Sequence, residues 1–140
     1  MNNRKINILG LILLMLLVFV SYYLFKSIFV PNLAREDISQ LTMTMVESRN
    51  MEKAVTGRDD INRFVFHFNA LELEYTVLGN DEQDWKMLVG LEGEKEGRIL
   101  ITSDRVRLNR SWYKADTEDL ELLKGLYNEF NYPIAEITAE

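Results

Sequence analysis

The chain has 140 residues, of which 47% are hydrophobic and 27% are charged, with no cysteine, one histidine and a formal net charge of −6. This length accommodates one small domain and an additional segment, and it excludes a multidomain enzyme, because a domain usually takes about 100–200 residues. The absence of cysteine excludes disulfides, thiolate zinc sites, cysteine nucleophiles and lipidation at a cysteine.

An uncharged apolar run begins at Ile6 and ends at Phe25. Its length of about 20 residues, at 1.5 Å per residue, matches the roughly 30 Å hydrocarbon layer of a bilayer, which predicts a transmembrane helix. Tyr22 and Tyr23 lie near its end, where amphipathic rings favour the lipid–water interface. A signal peptide has a shorter apolar core and small residues at its cleavage site, which residues 30–34 lack, so we expect the anchor to stay attached.

Basic residues beside the apolar run set its expected orientation, because cytoplasmic flanks carry an excess of Lys and Arg. Arg4 and Lys5 are clustered directly before the run, whereas Lys26 and Arg35 follow it. Lys26 is close enough to the helix end to extend its amine to the interface. We therefore expect a cytoplasmic N-terminus and an extracytoplasmic C-terminal domain in the cell membrane.

The remainder of the chain is acidic. Residues 35–140 contain 13 of the 16 basic residues and all 22 acidic residues, a net charge of −9. This balance argues against a nucleic-acid partner and against a domain lying flat on anionic lipid. The predicted segments are a cytoplasmic N-terminus (1–5), a transmembrane helix with its exit (6–30), a linker (31–40), a soluble domain (41–132) and a tail (133–140).

The soluble domain opens with two strand patterns and a helix pattern. In the first strand apolar residues alternate with threonines, the period of two of a half-buried strand: Leu41, Met43 and Met45. Residues 52–55 are predicted to form a second extended segment. Apolar residues at helical spacing then predict a first helix over residues 58–70: Ile61, Phe64, Val65, Phe68 and Leu71. Thr56, with Asp59 three residues later, is expected to cap this helix.

A meander of strands is predicted next, over residues 71–77, 85–91, 98–102, 105–109 and 111–114. The turn Gly79-Asn80-Asp81 joins the first two, and a hairpin across Ser103 and Asp104 joins the third and fourth. Alternation places Trp85 on the same face as Met87.

A second helix follows Asp116, which is expected to cap it, with Asp119 three residues later. Its apolar stripe consists of Leu120, Leu123, Leu126, Tyr127 and Phe130. Pro133 ends the helix or follows its end, and the last residues form a loose tail or an edge strand. The predicted fold class is α+β, a small antiparallel sheet with two helices packed on one face.

The densest basic group supplies the candidate binding site. Its residues, with two neighbouring aromatic side chains, are Arg98, Arg105, Arg107, Arg110, Trp112 and Tyr113. The arginines could bind an anionic ligand or partner, but in so acidic a domain we favour pairing with acids such as Glu72 and Glu74 across the sheet. Aromatic and Arg side chains are enriched at binding hot spots, which makes the two rings the first choice for an interface, but we favour core or edge packing for them.

The remaining polar and aromatic features have structural interpretations. His67 lies beside the apolar stripe of the first helix and is expected to pack at its boundary. Phe66 falls on the opposite helix face, where either the segment after the membrane span covers it or a partner contacts it. Two acidic clusters lack calcium-loop spacing and are expected to be solvated turns. The first cluster consists of Asn80, Asp81, Glu82 and Asp84. The second consists of Glu92, Glu94 and Glu96, with Lys95 among them.

No metal site, cofactor site or catalytic motif is expected. The sequence contains no nucleophile elbow, S-x-x-K, P-loop, H-E-x-x-H or G-x-G-x-x-G motif. The chain is therefore predicted not to be an enzyme.

Two stretches resemble small envelope proteins of Gram-positive bacteria. Residues 55–61 (VTGRDDI) leading to 68–71 (FNAL) are similar to their strand–helix unit, and residues 112–116 (WYKAD) are similar to the strand before their final leucine helix. The likeness covers roughly residues 41–130. Many of those proteins resemble lipoproteins, whereas this chain has no lipobox cysteine and is expected to keep a helix anchor instead. The resemblance implies a membrane-anchored domain, and no catalytic residue is carried over from it.

The leading functional hypothesis is a single-pass membrane protein whose outward, non-enzymatic domain binds an envelope component or modulates a membrane complex. Bacteriocin self-protection and an accessory role beside a transporter both fit it. The expected partners are the lipid bilayer and an envelope protein. One alternative is a membrane-tethered sensor or small enzyme that binds an anionic ligand through Arg98 to Arg110. Another is a cytoplasm-facing regulator.

Overall fold

The computed structural model describes residues 2–28, 31–79 and 84–137. It divides the chain into two compact units, Met1–Val30 and Pro31–Glu140. The first unit contains the helix α1 (Asn2–Ile28), in which the segment Asn7–Phe25 is long and apolar enough to cross a membrane. A helix of this length and composition near an N-terminus is typical of a membrane span or of a signal sequence.

The second unit contains eight described strands and two α-helices. In chain order they are β1 (Ile38–Met45), β2 (Met51–Val55), α2 (Arg58–Asn69), β3 (Glu74–Thr76), β4 (Met87–Gly93), β5 (Gly97–Ile101), β6 (Arg105–Leu108), β7 (Ser111–Lys114), α3 (Thr117–Glu129) and β8 (Ile134–Glu136). The strands form one antiparallel sheet in the order β3-β7-β6-β5-β4-β1-β2-β8. The predicted α+β class is confirmed. β1 begins inside the segment predicted as a linker, and β8 lies in the predicted tail.

One face of the sheet carries the hydrophobic core. Leu41 stands opposite both Val55 and Leu91, and Met43 stands opposite Val89, all of them buried. The apolar stripes of the two helices belong to the same cluster, as their spacing predicts: Ile61, Phe64, Val65 and Phe68 from α2, and Leu120, Leu123, Leu126 and Tyr127 from α3. This shared burial is the main source of stability for the unit, because apolar area removed from water contributes about 25 cal/mol per Å².

The position of β3 differs from the predicted meander. β3 pairs with β7 at one edge of the sheet, with Tyr75 opposite Tyr113, and it does not pair with β4. The two tyrosine rings meet edge to face with their centroids 5.9 Å apart. The prediction that β3 and β4 are neighbours was wrong because alternation shows which residues face the core and not which strand lies alongside. Part of the predicted turn, Asn80 and Asp81, lies outside the described residues.

The N-terminus of α2 is held by a residue distant in sequence. The cap position belongs to Gly57, and Thr56, the predicted cap, is exposed. The Tyr132 hydroxyl accepts a hydrogen bond from the Gly57 amide at 2.9 Å and donates one to Asp60 Oδ2 at 2.7 Å. The bond to the Asp60 carboxylate raises the pKa of Tyr132 above its usual value. Tyr132 therefore replaces the predicted local cap.

The C-terminus of α3 is held by a buried lysine. Lys53 projects from β2 into the core face and is 6% exposed. Its Nζ donates hydrogen bonds to the backbone carbonyls of Tyr127 at 2.5 Å and Phe130 at 2.8 Å, and it lies 4.2 Å from the centroid of the Tyr127 ring. Carbonyls at a helix C-terminus favour a cation. Burial lowers the pKa of Lys53, so these partners offset part of its desolvation.

Replacing Lys53 with methionine should destabilise the fold. The K53M side chain keeps a similar length but leaves the carbonyls of Tyr127 and Phe130 without their charged donor, at a cost of about 2 kcal/mol. Urea unfolding of the full chain in mild detergent, followed by tryptophan fluorescence, measures the change. Lys114, which is exposed, provides the control. Equal losses of stability in K53M and K114M would contradict the assigned role.

Replacing Tyr132 with phenylalanine should lower stability by about 1 kcal/mol at neutral pH, because both hydroxyl hydrogen bonds are lost. The pKa of Tyr132 is raised in the folded chain, so its contribution is fully present below the unfolded-state pKa of about 10. That contribution is lost as the pH rises through the folded-state pKa. The difference in unfolding free energy between wild type and Y132F should therefore be constant from pH 7 to 9 and shrink above about pH 10. A difference that grows with alkalinity would refute this assignment.

Candidate functional site

The sheet face opposite the core, here called the outer face, holds the candidate site. Side chains along a strand point alternately to the two faces, so the neighbours of buried residues lie on the outer face. The register places Leu88 opposite Leu100, Leu100 opposite Arg107, and Arg107 opposite Trp112. A row of leucine, leucine, arginine and tryptophan thus crosses strands β4 to β7.

A pocket of about 310 Å³ opens on the outer face. It is lined by Trp85, Leu88, Arg98, Leu100, Arg107 and Asn109. The lining combines two leucines and an indole with two guanidinium groups, and this set includes neither a nucleophile nor a general base. The chemistry of the pocket therefore suits binding of a group that is both anionic and partly apolar.

Asn109 positions the arginine-bearing strands. It lies in the turn between β6 and β7 with φ of 56°, a left-handed conformation that asparagine tolerates better than most residues. Its Oδ1 accepts a hydrogen bond from the Arg98 amide at 3.3 Å, and its carbonyl accepts one from Arg107 Nε at 3.0 Å. One turn residue thus links the backbone that carries Arg98 to the guanidinium of Arg107.

The two arginines of the pocket have different surroundings. Arg107 is half-buried, and its guanidinium carbon lies 5.9 Å from the centroid of the Trp112 ring. Arg98 is exposed, and no carboxylate among residues 31–79 and 84–137 lies within ion-pair distance of its guanidinium. A guanidinium presents paired N–H donors that match a carboxylate or phosphate, so Arg98 is the group best placed to bind an incoming anion.

The other predicted site residues lie outside the pocket lining. Trp112 is on the outer face beside Arg107. Arg105 lies on β6 with a guanidinium nitrogen 4.0 Å from an Asp104 oxygen, and Arg110 is exposed in the β6–β7 turn. Tyr113 is 7% exposed and belongs to the core. The structure thus brings together two of the four arginines.

The expected pairing of the arginines with acids across the sheet takes another form. Arg105 pairs with its sequence neighbour Asp104, while Glu74 stands opposite Lys114 in the β3–β7 register. Glu72 lies before β3 and is exposed. In the described ion pairs and strand register, these charged residues therefore have different neighbours from those expected.

Trp85 and the two leucines were missed by the sequence analysis. Alternation placed Trp85 on the face of Met87, but β4 begins at Met87 and Trp85 lines the outer-face pocket instead. Arg49 lies 5.8 Å from the Trp85 ring centroid. The sequence did contain a signal for this pocket, because Leu88 and Leu100 are apolar residues on the otherwise polar face of their strands. Apolar residues on both faces of a strand indicate that both faces are at least partly covered.

The other described residues singled out in the sequence do not line the outer-face pocket. His67 is half-buried, and its ring lies edge to face with Phe66 at a centroid distance of 5.6 Å. Lys95 pairs with Asp37 at 2.9 Å, and this contact raises the pKa of Lys95. Three residues of the first acidic cluster, 80–82, lie outside the described residues. Within the described ranges no three His, Asp or Glu side chains are grouped so as to hold a metal ion.

Comparisons with known proteins identify no relative of this chain. No protein family, no curated protein and no solved structure matches the chain.

Proposed function

We propose that this protein is a non-catalytic binding domain, tethered to a membrane by α1, that holds an acidic segment of a partner protein on the outer face of its sheet. The observation that carries the proposal is the pocket in which Arg98 and Arg107 accompany two leucines and an indole. The resemblance to envelope proteins and the basic flank before the apolar run support an extracytoplasmic position. The partner is then a component of the cell envelope or of a membrane complex.

The charge of the domain supports an acidic partner. Residues 35–140 carry a net charge of −9, so most of their surface repels an anion, whereas β5, β6 and β7 direct basic side chains to the outer face. These are Arg98, Arg105, Arg107 and Lys114. A locally positive surface on an acidic domain steers an acidic partner to one face and suppresses other modes of approach.

The lining of the pocket supports a partner that presents an apolar side chain beside its carboxylate. Leu88 and Leu100 are adjacent and half-buried, and Trp85 and Trp112 both lie near a guanidinium. Binding sites combine an apolar surface that provides affinity with a few polar groups that fix orientation. A pocket of about 310 Å³ lies at the small end of the range for ligand sites, which suits one side chain of a bound segment.

Charge reversal at Arg98 should remove most of this binding. We expect R98E to weaken binding of the pentapeptide Glu-Glu-Phe-Glu-Glu about tenfold or more, because a charge-assisted hydrogen bond contributes about 1.5–3 kcal/mol. Trp85 lines the pocket, so the tryptophan fluorescence of the full chain in detergent reports the titration.

The matched control for this titration is R110E, which makes the same change in net charge at an exposed position outside the pocket lining. R110E should bind the acidic peptide like the wild type. The peptide Gln-Gln-Phe-Gln-Gln should bind the wild type weakly. The proposal fails if R98E and R110E behave alike, or if the glutamine peptide binds as well as the glutamate peptide.

The orientation of the domain can be tested by labelling, because the chain has no natural cysteine. S103C lies in an exposed turn between β5 and β6, and N3C lies before the apolar run. In intact cells a membrane-impermeant maleimide should label S103C and leave N3C unlabelled. Labelling of N3C alone would reverse the orientation and favour the cytoplasm-facing regulator.

A further inference from the structure

Phe66 is an exposed aromatic residue on a helix whose other side is buried. The buried residues of α2 are Ile61, Phe64, Val65 and Phe68, whereas Phe66 is 71% exposed. It borders a hollow of about 280 Å³ that is also lined by Arg35, Val65, Asn69 and Ala70. A large apolar side chain in water at the margin of such a hollow marks a surface that another apolar phase can cover.

Residues 31–37, the described part of the segment before β1, leave Phe66 exposed, although Leu33 is bound to the same end of α2. The Leu33 amide donates a hydrogen bond to Asn69 Oδ1 at 2.8 Å, and Asn69 Nδ2 donates one to the Leu33 carbonyl at 2.9 Å. These two bonds fix residue 33 one helical turn from Phe66. Among the described residues, the predicted cover for this ring is therefore absent.

The length of chain before Leu33 limits what else can lie near Phe66. In the sequence Leu33 follows Phe25, the last residue of the apolar segment, by eight positions. A chain of eight residues spans at most about 29 Å even when fully extended. If α1 crosses a membrane, Leu33, which is bound at this end of α2, therefore lies within about 29 Å of the last residue of the apolar segment.

We propose that Phe66 contacts the surface of the lipid bilayer, at the level of the headgroups and the first acyl carbons. This inference rests on the membrane tether of the proposed function and is independent of the pocket on the outer face. Aromatic side chains favour this layer because it accepts an apolar ring beside polar groups. Arg35, which shares the hollow with Phe66, adds a guanidinium suited to a lipid phosphate.

The chemistry of this surface favours lipid over an acidic protein partner. The hollow is lined by the Phe66 ring, two further apolar residues, one amide and one guanidinium, without the adjacent leucines that line the outer-face pocket: Val65, Ala70, Asn69 and Arg35. Glu36, an exposed acid, is the sequence neighbour of Arg35 and offsets its charge. Contact with lipid is therefore driven by the apolar ring, and vesicles of zwitterionic phosphatidylcholine should support it.

The test places a bimane fluorophore at single cysteines in the full chain, reconstituted in phosphatidylcholine vesicles. The vesicles contain lipid with a nitroxide on an acyl carbon near the headgroup. F66C reports the proposed contact, and L122C is the matched control because Leu122 is an apolar residue on α3 that is 64% exposed. M15C lies inside the apolar segment and reports insertion of α1.

We expect nitroxide lipid to quench bimane at F66C several-fold more than at L122C, with a shift of its emission to shorter wavelength. Quenching at M15C with none at F66C would overturn the contact while leaving the tether intact. Equal quenching at F66C and L122C would overturn it as non-specific adsorption. Absence of quenching at M15C would overturn the tether and this inference together, and binding of the acidic peptide would remain a separate result.

Discussion

The constraint on which the rest of the second unit depends is that two helices cover one face of an eight-stranded sheet and leave the other face to its own side chains. An antiparallel sheet tolerates this arrangement because one face can meet water. At the centre of the outer face, Gly90 lies so close to Thr42 that a Cβ on Gly90 would come within 2.3 Å of the Thr42 hydroxyl. Toward β7 the face instead carries leucines, arginines and tryptophans, and this change in composition creates the pocket.

The helices keep their positions through polar contacts that join distant parts of the chain. Lys53 reaches from β2 to the last carbonyls of α3, and Tyr132 reaches from beyond α3 to the start of α2. A buried ammonium is tolerated only when its donors are satisfied, and here two carbonyls and one aromatic face surround it. Because both contacts act at helix ends, Tyr132 helps to fix where α2 begins and Lys53 helps to fix where α3 ends.

Elements whose signals are local could be predicted from the sequence. The cap of α3 is an example, since the Asp116 carboxylate accepts hydrogen bonds from the amides of Glu118 at 2.8 Å and Asp119 at 3.4 Å. The start of α2 could not be predicted in this way, because Tyr132 is distant in sequence. The neighbour of β3 was missed for the same reason. Of the pocket, the arginines were found as a cluster of charge, whereas Trp85 was misplaced because alternation was extended beyond the strand that produces it.

The two proposed contacts of this domain respond differently to charge, and that difference separates their roles. Binding at Arg98 involves an exposed guanidinium, whose interactions are screened over about 8 Å at physiological ionic strength. Contact through Phe66 depends on burial of apolar area, which salt does not screen. A domain with a net charge of −9 is repelled by anionic headgroups, so its overall charge does not hold it against lipid. An apolar contact does not depend on electrostatic attraction, and it leaves the positive charge on the outer face for the acidic partner.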